Sequence, residues 1–489
     1  MNKQIRRLGV VLTALYIVLF GFLNYWQIVD ADSLNKHPAN TRAVVRDFTR
    51  ARGAVQTADG VVLARSVDSK DNFKLQREYP EGALFGPITG YFSFSYGTDG
   101  VERTYNDLLT GRGQKLELRR LRDLLLTKEH NANITLTLTK QLQQVATQAL
   151  GTRRGAVVAL DPRDGAVLAM VNFPSYDPTP LAGHNQENVR ATWDLLNASQ
   201  DKPLLPRSFR ERYFPGSTFK VVTASTALAN GRTPTNPVFP QLTSLLLPNT
   251  INQRLSNFGG SRCGGNIAQG LRVSCNTVFA QLGLDLGGPI LAGGANAFGF
   301  NQRPPLDLPA PTTSFFPDGG VLDKDKPALA KSAIGQQDVS ASPLQMALVA
   351  AAIANNGTAM TPHVFAEARD SEGKVVSRFR PKPWVRAVTP EVASQMRDLM
   401  IDVVARGTGR LGAIPGVQVA GKTGTAQTGR DTSHAWFICF APAEAPTIAV
   451  AVILENQSNV SEVTGGVDAA PVARAVVQAA LAQPRPAAP

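Results

Sequence analysis

The sequence predicts an α+β protein behind a small β-rich region and a single membrane-crossing helix. Three observations lead there. Residues 8–29 are apolar and carry no charge. Strand-like apolar runs lie near 155–172 and 434–455, with helical patterns between them, so a sheet must be assembled from distant segments. No internal repeat is present, which removes solenoids and propellers. The 489 residues leave room for two or three domains. With 43% hydrophobic and 18% charged residues, the chain is neither wholly disordered nor collagen-like.

Taken in order, the first element is LGVVLTALYIVLFGFLNYWQIV, Leu8 to Val29. As a helix it is about 33 Å long, against a bilayer core of about 30 Å. Tyr25 and Trp26 lie near its far end, where amphipathic rings favour the interface. Lys3, Arg6 and Arg7 precede it, so residues 1–7 are expected to be a cytoplasmic tip, with everything after Asp30 outside. A cleaved signal peptide is the alternative, but the apolar run is long and the small-x-small cleavage pattern weak.

Residues 30–150 are polar, Arg-rich and short-stranded. RARGAVQTADGVVLA (50–64) alternates around Asp59-Gly60, which predicts a hairpin. TDGVERTYNDLLTG (98–111) offers no catalytic constellation, so this region reads as a pedestal or interaction domain. A second domain is expected over 151–481. GAVVALDPRDGAVLAMVN (155–172) is two β-rich runs joined by Asp161-Pro162-Arg163-Asp164-Gly165, a hairpin signal. SPLQMALVAAAIANNG (342–357) opens on a Ser cap and Pro, closes on Asn-Asn-Gly, and predicts a buried helix. HAWFICFAP (434–442) and PTIAVAVILE (446–455) read as two buried strands. Residues 482–489, ending AQPRPAAP, read as a flexible tail.

Lys+Arg 50 against Asp+Glu 38 gives a net charge of +12. The basic residues are scattered and no nucleic-acid module is present, so an anionic wall or membrane surface fits the excess. Three Cys and five His, without Cys-x-x-Cys or His-Glu-x-x-His, give no zinc pattern, and no metal or cofactor is expected. Outside the membrane, a Cys263–Cys275 bridge would close a short loop worth ~3 kcal/mol in the chain-entropy picture. Two buried free thiols are the alternative. Cys439, within Trp436-Phe437-Ile438-Cys439-Phe440, reads as an inert core residue.

The chemistry rests on three short motifs. Ser-x-x-Lys occurs four times, at Ser33/Lys36, Ser199/Lys202, Ser217/Lys220 and Ser371/Lys374. Only Ser217 follows a Pro-Gly turn and leads into an apolar helical run, which sets it on the first turn of a helix. There its hydroxyl is near unpaired backbone N–H groups and the positive end of the helix dipole. Lys220 is one turn on. A lysine on an apolar helix loses hydration and its pKa falls, so its amine can take the Ser217 proton. Alone, these residues read more plainly as a helix cap and a snorkelling lysine. Ser274-Cys275-Asn276 adds a hydroxyl and an amide that can relay a proton and hold a carbonyl. Lys422-Thr423-Gly424-Thr425 follows a strand-like run. It offers a cation and hydroxyls for a carboxylate, on a strand that can pair with an extended peptide. The glycine would let a ligand backbone approach closely.

In this order the trio is the signature of serine β-lactamases and penicillin-binding proteins. The chain resembles the class B penicillin-binding proteins, membrane-anchored peptidoglycan D,D-transpeptidases, and most of all the short A type of actinobacteria. The resemblance runs over YFPGSTFK (213–220), SCNT (274–277), IGQQDVSASPLQMA (334–347), GKTGTAQ (421–427), the anchor, and the Arg50–Ala64 and Gly100–Gly111 stretches. It implies an antiparallel sheet with helices on both faces, an all-α lobe, and a pedestal or dimerisation domain before them. It implies Ser217 as the acylated nucleophile and Lys220 as its base. Ser274 and Asn276 would serve relay and amide binding. Lys422, Thr423, Gly424 and Thr425 would form the substrate-binding strand, and the backbone N–H groups of Ser217 and Thr425 the oxyanion hole. The implied substrates are stem peptides ending in D-Ala-D-Ala, with β-lactams as mimics. About 120 residues before the second domain are too few for a glycosyltransferase, so a membrane glycosyltransferase partner is implied, with other cell-wall or division proteins. Gln337 departs from the pattern, since related proteins often carry a second glycine there. A D,D-carboxypeptidase or serine β-lactamase would use the same site, and a non-catalytic β-lactam sensor or division scaffold could keep it.

Overall fold

The computed structural model describes residues 2–29, 48–111, 131–428, 432–458 and 465–483. Ser33 and Lys36, parts of the expected pedestal (30–47 and 112–130) and the tail from 484 lie outside the described residues. The chain divides into two units: one runs to Ala51 and includes Val67–Gln76, and the other holds Arg52–Ser66 and everything from Arg77. In the first, an α-helix spans Asn2–Asn24 and continues as a π-turn, Tyr25–Val29. Its stretch Lys3–Gln27 is long and apolar enough to cross a membrane.

The second unit is organised by a five-stranded antiparallel sheet. Its order is Ala420–Gln427, Thr432–Ala441, Ile448–Ser458, Gly155–Leu160, Val167–Phe173. The expected 155–172 hairpin and the paired strands near the C-terminus are therefore neighbours. They read as nearly continuous apolar runs because both faces are covered. Alternate residues feed different cores. Ala156, Val158, Trp436, Ile438 and Phe440 face one; Val157, Ala159, Ala435, Phe437 and Cys439 face the other.

Helices cover both faces. Pro343–Ala354 packs in the first core, with Ser342 Oγ accepting from the Gln345 N–H and Pro343 at its first position, as its sequence predicts. Leu344, Met346 and Leu348 are buried on it, and cutting one to Ala would cost about 2–5 kcal/mol. Lys140–Leu150 and Ala470–Ala482 close the second face. A helical lobe, which includes Lys220–Ala229, Ile267–Arg272, Asn276–Leu286, Gly288–Ala297 and Lys326–Ser332, adds its buried side chains to the first core.

The predicted 50–64 hairpin forms from Val55–Gln56 and Val62–Asp68, turning at Gly60. It joins a separate six-stranded sheet in which Asn133–Leu136 pairs with Phe365–Arg369, so chain on both sides of residue 150 shares one sheet. Arg52, Arg77 and Glu102 lie buried beside it, with carboxylate contacts of 2.7 and 2.6 Å.

Candidate active site

Ser217 sits in a 3-10 turn, Gly216–Phe219, that runs straight into the helix Lys220–Ala229. The turn is fixed from several sides. The Gly216 N–H donates to the Gly335 carbonyl at 2.9 Å, Thr218 Oγ1 donates to the Pro215 carbonyl at 2.7 Å, and Trp436 Nε1 donates to the Phe214 carbonyl at 3.0 Å. Behind it, Tyr213 donates its hydroxyl to Glu455 at 2.5 Å, and Arg207 holds the same carboxylate at 2.8 Å. Ser217 is half-buried and lines a cleft of about 1180 Å³.

Lys220 is fully buried. Its Nζ donates to the Ser274 carbonyl at 2.7 Å and to Asn276 Oδ1 at 2.7 Å, with Ser274 Oγ at 3.5 Å. Burial, and then the charge of Lys422, push its pKa well below the usual lysine value. Ser274 adopts a left-handed backbone, φ 60°. Asn276 opens the helix Asn276–Leu286, and its Nδ2 donates to the Ser256 carbonyl at 2.9 Å.

The Lys-Thr-Gly stretch lies in the edge strand Ala420–Gln427. Lys422 is buried, while Thr423 and Thr425 line the cleft. Lys422 Nζ donates to Ser274 Oγ at 2.9 Å and to the Thr423 carbonyl at 2.8 Å. Burial lowers its pKa to about 7. Ser274 Oγ thus stands between the two lysines. Among the described residues neither lysine has a carboxylate partner, and no Asp or Glu lines the cleft. At Gly424 a Cβ would come within 2.9 Å of Thr218 Cγ2 and 3.0 Å of the Pro215 carbonyl. The space the sequence reading gave to a ligand backbone is taken by the Ser217 turn, which packs directly on the strand.

The structure therefore gathers Ser217, Lys220, Ser274, Asn276 and Lys422 to Thr425 around one hollow. Of the other Ser-x-x-Lys pairs, the two among the described residues, Ser199/Lys202 and Ser371/Lys374, stay apart from it. Ser199 ends the helix Gln186–Ala198, and Ser371 and Lys374 flank a hairpin turn. Cys263 and Cys275 are bonded. Cys439 is free and buried, its thiol pushed up to about 12 by burial. No cluster of metal-ligating side chains occurs among the described residues.

Sequence reasoning missed part of the cleft. Thr408 Oγ1 lies 2.6 Å from Thr423 Oγ1, and Arg254 and Lys331 add positive charge to the lining. Thr408 follows a helix end in a Gly-Thr-Gly run, and Arg254 lies in a short hairpin. Neither stands out as a motif, because only folding brings them here.

Residues 155–478 match the family described as the penicillin binding protein transpeptidase domain, and residues 52–134 the penicillin binding protein A dimerisation domain. The chain is 40% identical to the peptidoglycan D,D-transpeptidase PbpA of Mycolicibacterium smegmatis, over 98% of this chain and 99% of that protein. It is 39% identical to PbpA of Mycobacterium tuberculosis, over 98% and 99%. The ceftriaxone acyl-enzyme complex of M. tuberculosis penicillin-binding protein A superimposes with a TM-score of 0.83 and 38% identity, over 89% of this chain and 100% of that one. Similarity of that reach, through the cleft and the region before it alike, means that the chain belongs to the class B penicillin-binding proteins.

Proposed function

We propose that the chain is a peptidoglycan D,D-transpeptidase working through a Ser217 acyl-enzyme. One observation carries the reading: a buried Lys220 amine, with only neutral hydrogen-bond partners, one turn from a cleft-lining serine. Such an amine is drawn towards its neutral form, which is what a base needs at neutral pH. Ser217 Oγ attacks the carbonyl carbon of the penultimate D-Ala of a stem peptide and gives its proton to Lys220 Nζ. The C–N bond breaks, and Ser274 Oγ passes a proton to the departing D-Ala amine. An amine of a second strand then attacks the ester carbonyl, loses a proton through the same groups, and forms the cross-link as Ser217 is released. Lys422, Thr423 and Thr425 hold the terminal carboxylate, and the Ser217 and Thr425 N–H groups face the oxyanion. Losing one such donor costs about 10²–10³-fold in rate.

The relatives named D,D-transpeptidase and the solved β-lactam acyl-enzyme support the reading. The β-lactam ring mimics the dipeptide, and its opened amine stays tethered, so the ester persists. The apolar part of the N-terminal helix, from Leu8 on, anchors the protein, with Lys3, Arg6 and Arg7 ahead of it on the cytoplasmic side and the cleft outside. A membrane glycosyltransferase supplies the glycan strands.

The test is mass spectrometry after penicillin G. A single adduct mapped to Ser217 and absent from Ser217→Ala is expected; an adduct on another residue would refute the assignment. A pentapeptide donor with an added amine should then give the amide product. Free tetrapeptide alone would mean a carboxypeptidase, and ester lifetimes of milliseconds a β-lactamase.

A further inference from the structure

We infer that the Cys263–Cys275 disulfide is a positioning element of the acylation step, and that its reduction by a dithiol turns that step down. The inference rests on the catalytic roles proposed above for Ser274, Asn276 and Lys220. Cys275 is the middle residue of the Ser274-Cys275-Asn276 triplet, and its sulfur is bonded to Cys263 on the strand Cys263–Gly265. Both main Lys220 contacts, the Ser274 carbonyl and Asn276 Oδ1, flank that one residue. Ser274 holds a left-handed backbone, which a non-glycine residue keeps only where its surroundings impose it.

Local backbone bonds supply part of that restraint: the Cys275 N–H donates to the Gly270 carbonyl at 2.8 Å and the Ser274 N–H to the Leu271 carbonyl at 3.2 Å. Both stay within the short segment the disulfide closes, so they cannot fix it against the cleft wall. Bonds to the rest of the fold are the disulfide, Asn276 Nδ2 to the Ser256 carbonyl at 2.9 Å, Asn257 Oδ1 accepting from the Thr277 N–H at 3.0 Å, the Thr408 N–H to the Arg272 carbonyl at 3.2 Å, and the two lysine contacts to the triplet itself. Of these, the disulfide is the covalent one. Cys263 borders the cleft, although only 9% exposed, so the cleft is the side from which a small reductant would meet the bond. The step is balanced: the dithiol gives two electrons and two protons, Cys263 and Cys275 become thiols, and the reductant leaves as its own disulfide. Released, the triplet can shift against Lys220, and a misplacement near 1 Å is worth about 10²-fold in rate.

The experiment measures penicillin binding and the acylation rate constant separately on the detergent-solubilised full chain, with and without dithiothreitol. Reduction should lower the acylation rate constant about ten- to a hundredfold while the dissociation constant of the pre-covalent complex changes little. Reoxidation should restore it. The double variant Cys263→Ser, Cys275→Ser should show the low rate from the start and ignore the reductant. Because Cys439 remains in that variant, any residual response would trace to it and count against the inference. If the double variant does not fold, the reduction and reoxidation cycle on wild type, with thiols counted, decides alone. A bond that only stabilises the fold would lower the amount of protein acylated, not the rate constant. A rate constant within twofold of the oxidised value, with the adduct still on Ser217, overturns this inference and leaves the catalytic reading intact. An adduct elsewhere overturns both.

Discussion

Two buried charge clusters of this protein are built on opposite terms. Beside the six-stranded sheet, Glu102 receives Arg52 and Arg77 at 2.7 and 2.6 Å, and Arg52 also stacks over Phe92 at 4.2 Å. Burial alone would raise the Glu102 carboxyl, but the two guanidinium groups outweigh it and hold the carboxyl below its ordinary value. At the cleft, Lys220 and Lys422 are as deeply buried and meet only carbonyl, hydroxyl and amide oxygens. Nothing offsets desolvation there, so both amines are pushed down. The paired cluster fixes geometry and has no acid–base use. The unpaired one forgoes stability, and its amines are held closer to their neutral form than an ordinary lysine. Arg207, Glu455 and Tyr213 repeat the paired design directly behind the Ser217 turn, where rigidity serves the reaction.

The largest expected effect breaks the comparison on the cleft side. Lys220→Met should slow penicillin acylation about 10²–10⁴-fold, the usual contribution of a general base. Thermal stability should hold or rise, since an unpaired buried amine has been removed. Stopped-flow acylation with a fluorescent penicillin measures this, and a rate within tenfold of wild type would strip Lys220 of its role. On the paired side, Glu102→Gln strands two guanidinium groups and should destabilise by about 3–5 kcal/mol. Urea unfolding reads the loss, while the acylation rate constant of the folded fraction should stay put. A change below about 1 kcal/mol, the range of exposed pairs, would mean the cluster is not buried as described.

The smallest effect sharpens the contrast through pH. The Lys422 amine has a folded value of about 7, below its ordinary value near 10.4 in an unfolded chain. Between those values the unfolded state binds more protons, so this residue's burden on stability eases as pH rises from about 7. Glu102 runs the other way: its support is present above the ordinary carboxylate range and is lost as pH falls through its lowered folded value. The stability gap between Lys422→Met and wild type should therefore narrow from pH 7 to 9, measured by thermal unfolding across that range. A gap independent of pH would show that Lys422 stays charged when buried.

Much of this was legible before folding. Ser342 and Pro343 mark a helix start, and Asp161 to Gly165 mark a turn, because caps and turns are decided by adjacent residues. The apolar runs at 155–172, 434–442 and 446–455 announce buried strands, and the structure pairs them. The three motifs that meet at the cleft could be read because each packs its polar groups into three or four consecutive residues. Thr408, Arg254 and Lys331 could not, since each is an ordinary residue until the cleft assembles around it. Nor could the pairing of Asn133–Leu136 with Phe365–Arg369, because register between distant strands leaves no local trace.

The sequence by itself determined the residue types, their spacing within each motif, and the anchor helix's length and apolarity. Those are short-range matters of backbone preference and hydration. Tertiary structure alone decided that Lys422 meets Ser274 across 148 positions and Lys220 meets it across 54. It also decided that, among the described residues, no carboxylate accompanies either lysine. A side chain's pKa depends on what surrounds it in space, and only the packed fold supplies that environment.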